Sequence, residues 1–426
     1  MRGSSAHFLF TGFKLHGNCP KKILDIFEGE DVYRIASMVR ASPENQLTNG
    51  FMRTAFLTVL YIHALIHLMW FAHAFDWIDL PYFQKDIPGM VGFSWLLAAV
   101  FFIWAAIRIS MRKPKWFLPA LVGVLLSQMW IFSAWSDTQY GSFANLLILG
   151  GILVGYAKWS FEERFREEAE ALLEYAGKDQ RILTEKELEG LPKQVVQYVR
   201  RSGAIGKPVV ENFRLEFEGE MRQKGKPWFS FTSEQYNFIQ NPSRLFFMKG
   251  RIKGLSVWGY HTYRPPRAKM VIRALSLVPQ VKIDSPEMYP TETVTFLNDL
   301  CLFAPGALAD DRIQYAELDA SRVQATFSLK DLKVTAVLHF DAQGDLINFS
   351  SEDRTDVSKM ERLPFTTPVK DYREFDGMRL PSYGEAVWHY PEGEFVYGKF
   401  RLKAISYNLT GLADTIPNRN GLIGET

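Results

Sequence analysis

Two histidines lie four residues apart in a stretch without Asp, Glu, Lys or Arg. His63 and His67 share one helix face, because side chains at i and i+4 lie above one another. Imidazoles at membrane depth can bind a metal or haem, transfer protons or contact a substrate. Because the other apolar stretches hold no second pair of histidines, hydrogen bonding between neutral side chains is the favoured interpretation.

Two amide side chains complete a candidate polar layer. Gln128 and Asn145 fall at a depth similar to that of His67 in two later apolar runs. The natural set is therefore His67, Gln128 and Asn145, with His63 on the same helix face as His67. Hydrogen bonds of this kind are worth about 0.6–2 kcal/mol each, which favours a structural role over a catalytic one.

Outside the apolar runs, the densest pattern of polar and aromatic residues lies at residues 371–385. Strand-like residues flank an Asp-Gly pair, which predicts a hairpin, and Pro381 limits pairing to an edge. Arg373 and Glu385 have opposite charges that can pair inside the sheet, although no reaction follows from them. The candidate site residues of this segment are Asp371, Tyr372, Arg373 and Glu385.

Signatures of common enzymes are missing from the sequence. It has no G-x-S-x-G elbow, glycine-rich phosphate loop, H-E-x-x-H or C-x-x-C motif. His261, His339 and His389 fall on separate predicted strands, where lone histidines are usually structural. The polar cluster at residues 353–356 is typical of a solvated turn. We therefore predict no metal and no cofactor, and favour a non-enzymatic role over catalysis.

Composition excludes other classes of protein. The 426-residue chain has a net charge of only +2 and no basic block, so nucleic acid is not an expected partner. Its two cysteines, Cys19 and Cys301, rule out a disulfide framework and a Cys-based zinc site.

Four runs without Asp, Glu, Lys or Arg set the plan of the chain. Each is close to the ~20 apolar residues that a helix needs to cross a bilayer. Inside lipid a helix satisfies its own backbone hydrogen bonds, so we predict a four-helix transmembrane bundle. The runs are residues 54–75, 87–107, 116–136 and 138–157.

After the fourth run the composition becomes that of a water-soluble domain, which makes the fold class α+β. Residues 160–177 carry an apolar i, i+4 stripe and predict a charged stalk helix. Residues 178–410 alternate in a way that predicts a mainly antiparallel, curved β-sheet. Inserts at residues 267–278 and 290–303 are predicted to be helical. We favour helices that complete the core over helices that enclose an apolar space.

The two ends of the chain fall outside this plan. Residues 1–51 lack the continuous apolar core and cleavage site of a signal peptide. They are either a non-native extension from an upstream start or a partly helical lead-in, and Met52 is a natural start. Residues 411–426 are predicted to be a C-terminal tail.

Basic residues beside the apolar runs predict the orientation. Positive charge collects on the cytoplasmic side of membrane proteins. The connection between the second and third runs is basic, whereas Asp residues dominate the other two connections. An even number of spans puts both termini on one side, so we predict cytoplasmic termini in a bacterial inner membrane. The basic connection contains Arg108, Arg112, Lys113 and Lys115.

Three segments resemble a family of uncharacterised bacterial membrane-associated proteins with no assigned activity. They are residues 62–68, residues 191–198 with the following Gly203 and Gly206-Lys207-Pro208, and residues 371–385. The resemblance covers about residues 52–407 and implies no catalytic residue. In outline, the predicted strands with inserted helices are also similar to the curved half-barrel of bacterial lipoprotein carriers, which implies lipid binding.

Three functions are compatible with these features. The leading hypothesis is a membrane protein whose β-rich domain binds a lipid or other apolar ligand. The first alternative is a structural or regulatory membrane module that docks a protein partner. The second alternative is a membrane enzyme that uses His63 and His67.

The orientation is testable with a reporter that is active only in the periplasm. Fused to the C-terminus, it is expected to give only background activity, because the flanking charges place that end in the cytoplasm. The same reporter placed in the first connection should be active. Strong activity from the C-terminal fusion would reverse the assigned orientation.

Overall fold

The computed structural model describes residues 47–80, 88–176, 181–330, 332–357 and 359–415. The predicted N-terminal segment lies almost wholly outside these ranges, as does most of the predicted C-terminal tail. The described chain opens with five helices: α1 (Leu47–Ala74), α2 (Gly89–Ser110), α3 (Phe117–Ser133), α4 (Trp135–Thr138) and α5 (Gly141–Glu174).

Helices α1, α2 and α5 are long and apolar enough to cross a membrane. Helix α3 is apolar but has only 17 residues, which rise about 26 Å against a hydrocarbon core of ~30 Å. The predicted third run is interrupted because Ala134 leaves helical geometry, with φ −127° and ψ 44°. The short helix α4 follows this break.

Small side chains allow the apolar helices to pack closely. Buried alanines line α2, and the ring of Phe102 packs where Gly123 of α3 has no side chain. Gly151 and Gly155 of α5 each receive an aromatic ring from a residue outside this helix. The rings belong to Phe56 and Trp116.

After α5 come a 3₁₀ turn at Glu185–Leu188 and helix α6 at Lys193–Ser202, followed by a β-rich domain. Helix α7 (Met288–Phe303) and a second 3₁₀ turn (Pro305–Ala309) lie between its sixth and seventh strands. A third 3₁₀ turn, Leu412–Thr415, ends the described chain. The strands are β1 (Asn212–Met221), β2 (Phe229–Phe238), β3 (Ser243–Ile252), β4 (Leu255–Arg264), β5 (Arg267–Ala274), β6 (Val278–Ile283), β7 (Ile313–Glu317), β8 (Arg322–Leu329), β9 (Leu332–Phe340), β10 (Leu346–Ser351), β11 (Thr355–Asp356), β12 (Glu361–Arg362), β13 (Phe365–Phe375), β14 (Met378–Tyr390) and β15 (Gly393–Tyr407).

Thirteen of these strands form one sheet, which confirms the predicted antiparallel architecture. Their order is β6-β5-β4-β3-β2-β1-β15-β14-β13-β10-β9-β8-β7, and the paired neighbours are antiparallel. Strands β11 and β12 make a separate small hairpin. Short turns connect most strands, as the sequence pattern predicts.

The predicted helix at residues 267–278 is wrong. This segment forms β5, a turn in which Leu275 and Ser276 have φ of 53° and 59°, and the start of β6. Met270 packs into the core on one face of the sheet, and Val271 packs on the other. Because both faces are covered, the apolar residues do not alternate with polar ones, which hides a strand from periodicity arguments.

The helix predicted at residues 290–303 is confirmed as α7, and it occupies the inside of the curved sheet. Thirteen of its 16 residues are buried. It contacts β4 and β5 near one edge of the sheet, β9 and β10 near the other, and β14 between them. The sheet must therefore curve around α7, which fills much of the concave face as core.

The charged half of α5 packs on the opposite, outer face of the sheet. Its buried stripe repeats every four residues and meets aromatic side chains of β2, β3 and β4. The ring of Phe165 stacks 5.1 Å from Phe247 and lies 5.7 Å from Tyr236 and Tyr260. Helix α5 is therefore part of the domain's packing, whereas the sequence predicted a charged stalk that leads from the membrane to the domain. The stripe is Phe161, Phe165, Ala169 and Leu173.

Replacing Phe165 with Ala should loosen this attachment. Removal of a fully buried ring costs about 3–5 kcal/mol, so we expect a lower urea midpoint for the detergent-solubilised chain, followed by tryptophan fluorescence. Phe143→Ala, at a position on the same helix that is 69% exposed, is the matched control and should leave the midpoint unchanged. Equal midpoints for both variants would show that α5 is not held by this packing.

Candidate functional site

His63 is the centre of the polar layer among the apolar helices. Its Nε2 lies 2.9 Å from Asn145 Oδ1 and 3.2 Å from Ser127 Oγ. The Asn145 amide group donates to Ser127 Oγ at 2.9 Å and to Gln128 Oε1 at 3.0 Å. Gln128 in turn donates to Ser142 Oγ at 3.0 Å. The structure thus brings His63, Gln128 and Asn145 together.

His67 does not join these amides, in contrast to the predicted set. Its Nδ1 donates to the carbonyl oxygen of His63 at 2.8 Å, and the two rings are 4.6 Å apart. Because Asn145 Oδ1 accepts a hydrogen bond, His63 donates from Nε2. His63 Nδ1 and His67 Nε2 then each carry a buried lone pair without a hydrogen-bond partner. Such nitrogens can accept a proton or ligate a metal.

The candidate residues in the β-rich domain do not converge. Arg373 is exposed and pairs in register with Leu380, whereas Glu385 lies opposite Lys399 and accepts from the Tyr383 hydroxyl at 2.6 Å. The strand register therefore places Arg373 and Glu385 at different levels of the hairpin, too far apart to pair.

Asp371 and Tyr372 make structural contacts. Asp371 is exposed at a φ of 59°, and its carbonyl accepts from Ser382 Oγ at 2.6 Å. The Tyr372 hydroxyl donates to the carbonyl oxygen of Leu346 at 2.7 Å, which ties β13 to the start of β10.

Beside Tyr372, one carboxylate holds two guanidinium groups. Asp345 accepts two hydrogen bonds from Arg201 of α6, at 2.9 and 3.1 Å, and two from Arg379 of β14, at 2.5 and 2.8 Å. Burial opposes ionisation, but these bonds hold the pKa of Asp345 at about 2. The arrangement clamps α6 to the sheet.

Sequence reasoning missed a buried ionic cluster between the sheet and α7. Arg244 donates to Asp299 at 2.7 Å, to Glu292 at 3.2 Å and to Gln235 at 2.9 Å. Gln235 also donates to Asp299 at 2.7 Å, and His261 Nδ1 is 4.0 Å from Glu292. Two acidic residues seven positions apart, on one face of a helix without any other charged residue, are the signal that could have revealed it.

Burial governs protonation in this cluster. It raises the pKa of Asp299, against the hydrogen bonds from Arg244 and Gln235. It lowers the pKa of His261 to about 4, so the imidazole is neutral at pH 7. Arg244 therefore supplies the positive charge that holds the carboxylates. Within the described ranges, no three or more His, Cys, Asp or Glu side chains are grouped to hold a metal.

The cluster belongs to a larger polar region on the inner face of the sheet, which we call the polar sector. Ser233 Oγ and both amide atoms of Asn237 are buried there without a hydrogen-bond partner. Unpaired buried polar atoms are costly, so they mark places where a further polar group can bind. The polar sector is Ser233, Gln235, Asn237, Arg244, His261, Glu292 and Asp299.

The same inner face is aromatic at its other end. Phe246 connects the two regions, because its ring centroid is 5.0 Å from the Arg244 guanidinium and 5.5 Å from the His261 ring. Rings of Phe231 and Phe229 lie over the strands where Gly219 and Gly250 carry no side chain. This aromatic sector is Met221, Phe229, Phe231, Phe246, Met248 and Phe400.

The predicted solvated turn at residues 353–356 is instead packed against the domain. Asp356 is only 5% exposed and accepts from the Tyr390 hydroxyl at 2.6 Å. The Arg354 guanidinium lies 3.9 Å from the ring centroid of Phe365 and 5.3 Å from that of Trp388. Two aromatic rings therefore hold this segment against the sheet.

Comparison with known proteins gives a family but no activity. The family of unknown function DUF6544 matches residues 181–400, which is just over half of the chain. The chain belongs to DUF6544. The matched region of this DUF6544 protein contains residues 191–198 and 371–385, two of the segments that carry the resemblance noted in the sequence, and excludes the apolar helices.

Other comparisons add little to this assignment. No curated protein matches the DUF6544 chain. The crystal structure of a LolA-superfamily protein from Nitrosomonas europaea is similar to it, with 9% sequence identity and a TM-score of 0.30. That similarity covers 49% of this chain and 91% of the other. At this TM-score the overlap is too low to assign a shared fold.

Replacing Arg244 with Met should leave two carboxylates unpaired in the interior. Loss of one partner from a buried ion pair costs about 3–5 kcal/mol, so we expect a clearly lower urea midpoint at pH 7. The difference should shrink toward pH 5. A carboxyl group whose folded pKa exceeds its unfolded pKa, as burial produces at Asp299, takes up a proton in the fold and destabilises it less at low pH.

Arg200→Met is the matched control for this variant. Arg200 forms an ion pair with Glu185 in which both side chains are more than half exposed. Its removal should leave the midpoint unchanged at both pH values. An Arg244 variant that behaves like this control would mean that the cluster does not hold α7 in the sheet.

Proposed function

We propose that this chain is an integral membrane protein whose β-rich domain binds a lipid or another apolar ligand on the inner face of its sheet. The observation that carries the proposal is the division of that face into an aromatic sector and a polar sector. An acyl chain gains about 0.8 kcal/mol for each buried methylene group. The polar end of such a ligand needs hydrogen-bond partners, and the unpaired polar atoms of Ser233 and Asn237 can serve as these partners.

The apolar helices have the surface expected of a membrane bundle. Large apolar side chains point outward, and polar side chains lie inside: His63 and Asn145 are 2% and 3% exposed. A water-soluble bundle has the reverse arrangement, because exposed apolar surface of this extent is unfavourable in water. Outward residues that are 59–66% exposed include Leu65, Leu125, Phe132 and Leu146.

The aromatic sector lies at the end of the sheet nearest these helices. Arg264 bonds to Glu168 of α5, and Lys249 bonds to Glu162, closer to the apolar half of that helix. Phe231 pairs in register with Gly250, just beyond Lys249. The apolar part of the inner face is therefore the part nearest the bilayer, which supports membrane lipid as the ligand.

The aromatic sector is closed in this structure, so binding requires side-chain movement. Phe231, Phe246 and Met248 are at most 5% exposed, whereas Met221, Phe229 and Phe400 at the rim are half-buried. Methionine and phenylalanine side chains on strands can repack at modest cost when another apolar group takes their place. Helix α7 stays as core in this scheme, because Glu292 and Asp299 hold it to Arg244 in the polar sector and not to the aromatic sector.

Docking of a protein partner is the second candidate function. A surface depression of about 380 Å³ lies along α6, between apolar and basic side chains. Its apolar side chains favour an apolar partner segment, because Arg200 and Arg201 already form ion pairs with Glu185 and Asp345. The lining residues are Leu191, Lys193, Val196, Gln197, Arg200 and Arg201.

Photo-crosslinking in vesicles tests the lipid proposal. The full chain is reconstituted with a phospholipid whose acyl chain carries a photoactivatable group. Crosslinked peptides are then mapped by mass spectrometry. We expect crosslinks to β2 and β3 around Phe231 and Met248, in addition to those on the apolar helices.

Phe246→Glu should reduce the crosslinks on β2 and β3 severalfold, because it places a charge in the aromatic sector. The control is Phe327→Ala, which removes a buried ring from the main core and should leave the pattern intact. Crosslinks confined to the apolar helices in the unaltered chain would refute lipid binding by the β-rich domain.

A further inference from the structure

Two neighbouring hairpins of the sheet end in exposed apolar residues. The β3–β4 turn consists of Lys253 and Gly254, with φ of 51° and 81°, and the β5–β6 turn packs beside it through a Leu275 N–H to Ser256 carbonyl bond of 2.8 Å. Hairpin tips in water are normally polar, so this composition requires a cause. The apolar tips are Ile252, Leu255, Leu277 and Val278, which are 40–55% exposed.

These tips lie on the side of the domain from which α5 continues into the apolar bundle. The Lys158 ammonium group is 5.9 Å from the ring centroid of Trp258, and the Arg273 guanidinium is 4.9 Å from that of Phe161. Along β4, the contacts with α5 move from Glu168 at Arg264 to Lys158 at Trp258. The start of β4 therefore lies toward the apolar residues of α5, and the end of β4 lies toward the charged end of that helix.

The tips extend beyond the last of these contacts. Leu255 precedes Trp258 by three residues, which is about 10 Å of strand. The same distance along α5 is about seven residues, which leads from Lys158 to the level of Gly151. That level lies within the apolar part of α5, so the tips reach the depth at which the bilayer begins.

The charges around the tips fit a lipid surface. Lys158, Arg251, Lys253 and Arg273 give this end of the domain a positive charge, and Lys158 lies near Arg251. Apolar residues flanked by Lys and Arg are the composition that binds membrane interfaces, because the apolar groups enter the acyl boundary and the cations meet headgroup phosphates. A water-soluble protein partner would not need to match the depth of the spans.

The inner face of β3 links the tips to the aromatic sector. From the turn inward, alternate residues are Ile252, Gly250, Met248 and Phe246, without a polar side chain among them. Leu255 pairs with Ile252 across the turn and widens this apolar track.

We infer that the apolar tips insert into the bilayer interface and form the route by which membrane lipid reaches the aromatic sector. This inference rests on the proposed function, because it requires both the membrane spans and the ligand site. It adds the source of the ligand, which is the membrane that the same chain crosses, and the residues at the entrance.

Depth-dependent quenching tests the insertion. The full chain with Cys19→Ser and Leu255→Cys is labelled with an environment-sensitive fluorophore and reconstituted in vesicles containing phosphatidylglycerol and a spin-labelled phosphatidylcholine. The native Cys301 is 0% exposed and should not react. We expect the Leu255 probe to be quenched severalfold more than a probe at Leu318→Cys, which is 47% exposed at the end of β7.

A probe at Leu146→Cys, on the lipid-facing surface of α5, separates the possible failures. If Leu146 is quenched and Leu255 is not, the spans are in the membrane and the insertion of the tips is refuted. If Leu146 is not quenched either, the membrane part of the proposed function fails together with this inference. Quenching at both positions supports the insertion.

The entrance role is tested with the photoactivatable lipid. The double variant Ile252→Asp and Leu255→Asp should reduce crosslinks to β2 and the inner half of β3 severalfold and leave those on the apolar helices unchanged. Ile347→Asp, a change at a residue of β10 that is 42% exposed, is the control and should have no effect. Unchanged β2 crosslinks in the double variant would refute the entrance while leaving lipid binding itself intact.

Discussion

The packing of α5 against the outer face of the sheet is the interaction on which the remaining geometry depends. One continuous helix carries apolar residues at its start and a buried stripe at its end, so the bundle and the β-rich domain share a rigid element. Rings of Phe161 and Phe165 fix the strands β2 to β4 along that helix. This contact decides which end of the sheet, and which hairpins, face the apolar bundle.

Helix α7 imposes the second constraint, from inside the sheet. A helix buried on nearly all sides must satisfy any polar group that it carries, and Glu292 and Asp299 do so through Arg244. The ion pairs occupy the part of the inner face next to the helix. The aromatic sector lies next to this part, so one element both completes the core and holds the polar sector together.

Much of this fold could be predicted from the local pattern of apolar and polar residues, and the predictions that were wrong have physical causes. Alternation predicts most strands, but residues 267–278 are apolar on both faces because α5 and α7 cover both sides of the sheet. The spacing of His63 and His67 places them on one helix face. Which of the two meets Asn145 depends on how the helices are staggered against each other. The spacing of His63 and His67 does not encode a shift of one helical turn between neighbouring helices.

The sequence by itself determined the apolar runs, the change to a β-rich composition after them and the antiparallel sheet, because charge content and periodicity are local properties. Only the tertiary structure decided which side chains from distant parts of the sequence contact each other. Arg244 and Asp299 are 55 residues apart, and the residues around one of them in the sequence do not predict a contact with the other. Likewise, Ile252 and Leu255 are ordinary apolar residues of a hairpin in the sequence, and only the packing of α5 along β4 shows at which end of the domain they lie. Contacts between distant segments depend on how whole elements pack, and that packing assembles the two sectors and the tips.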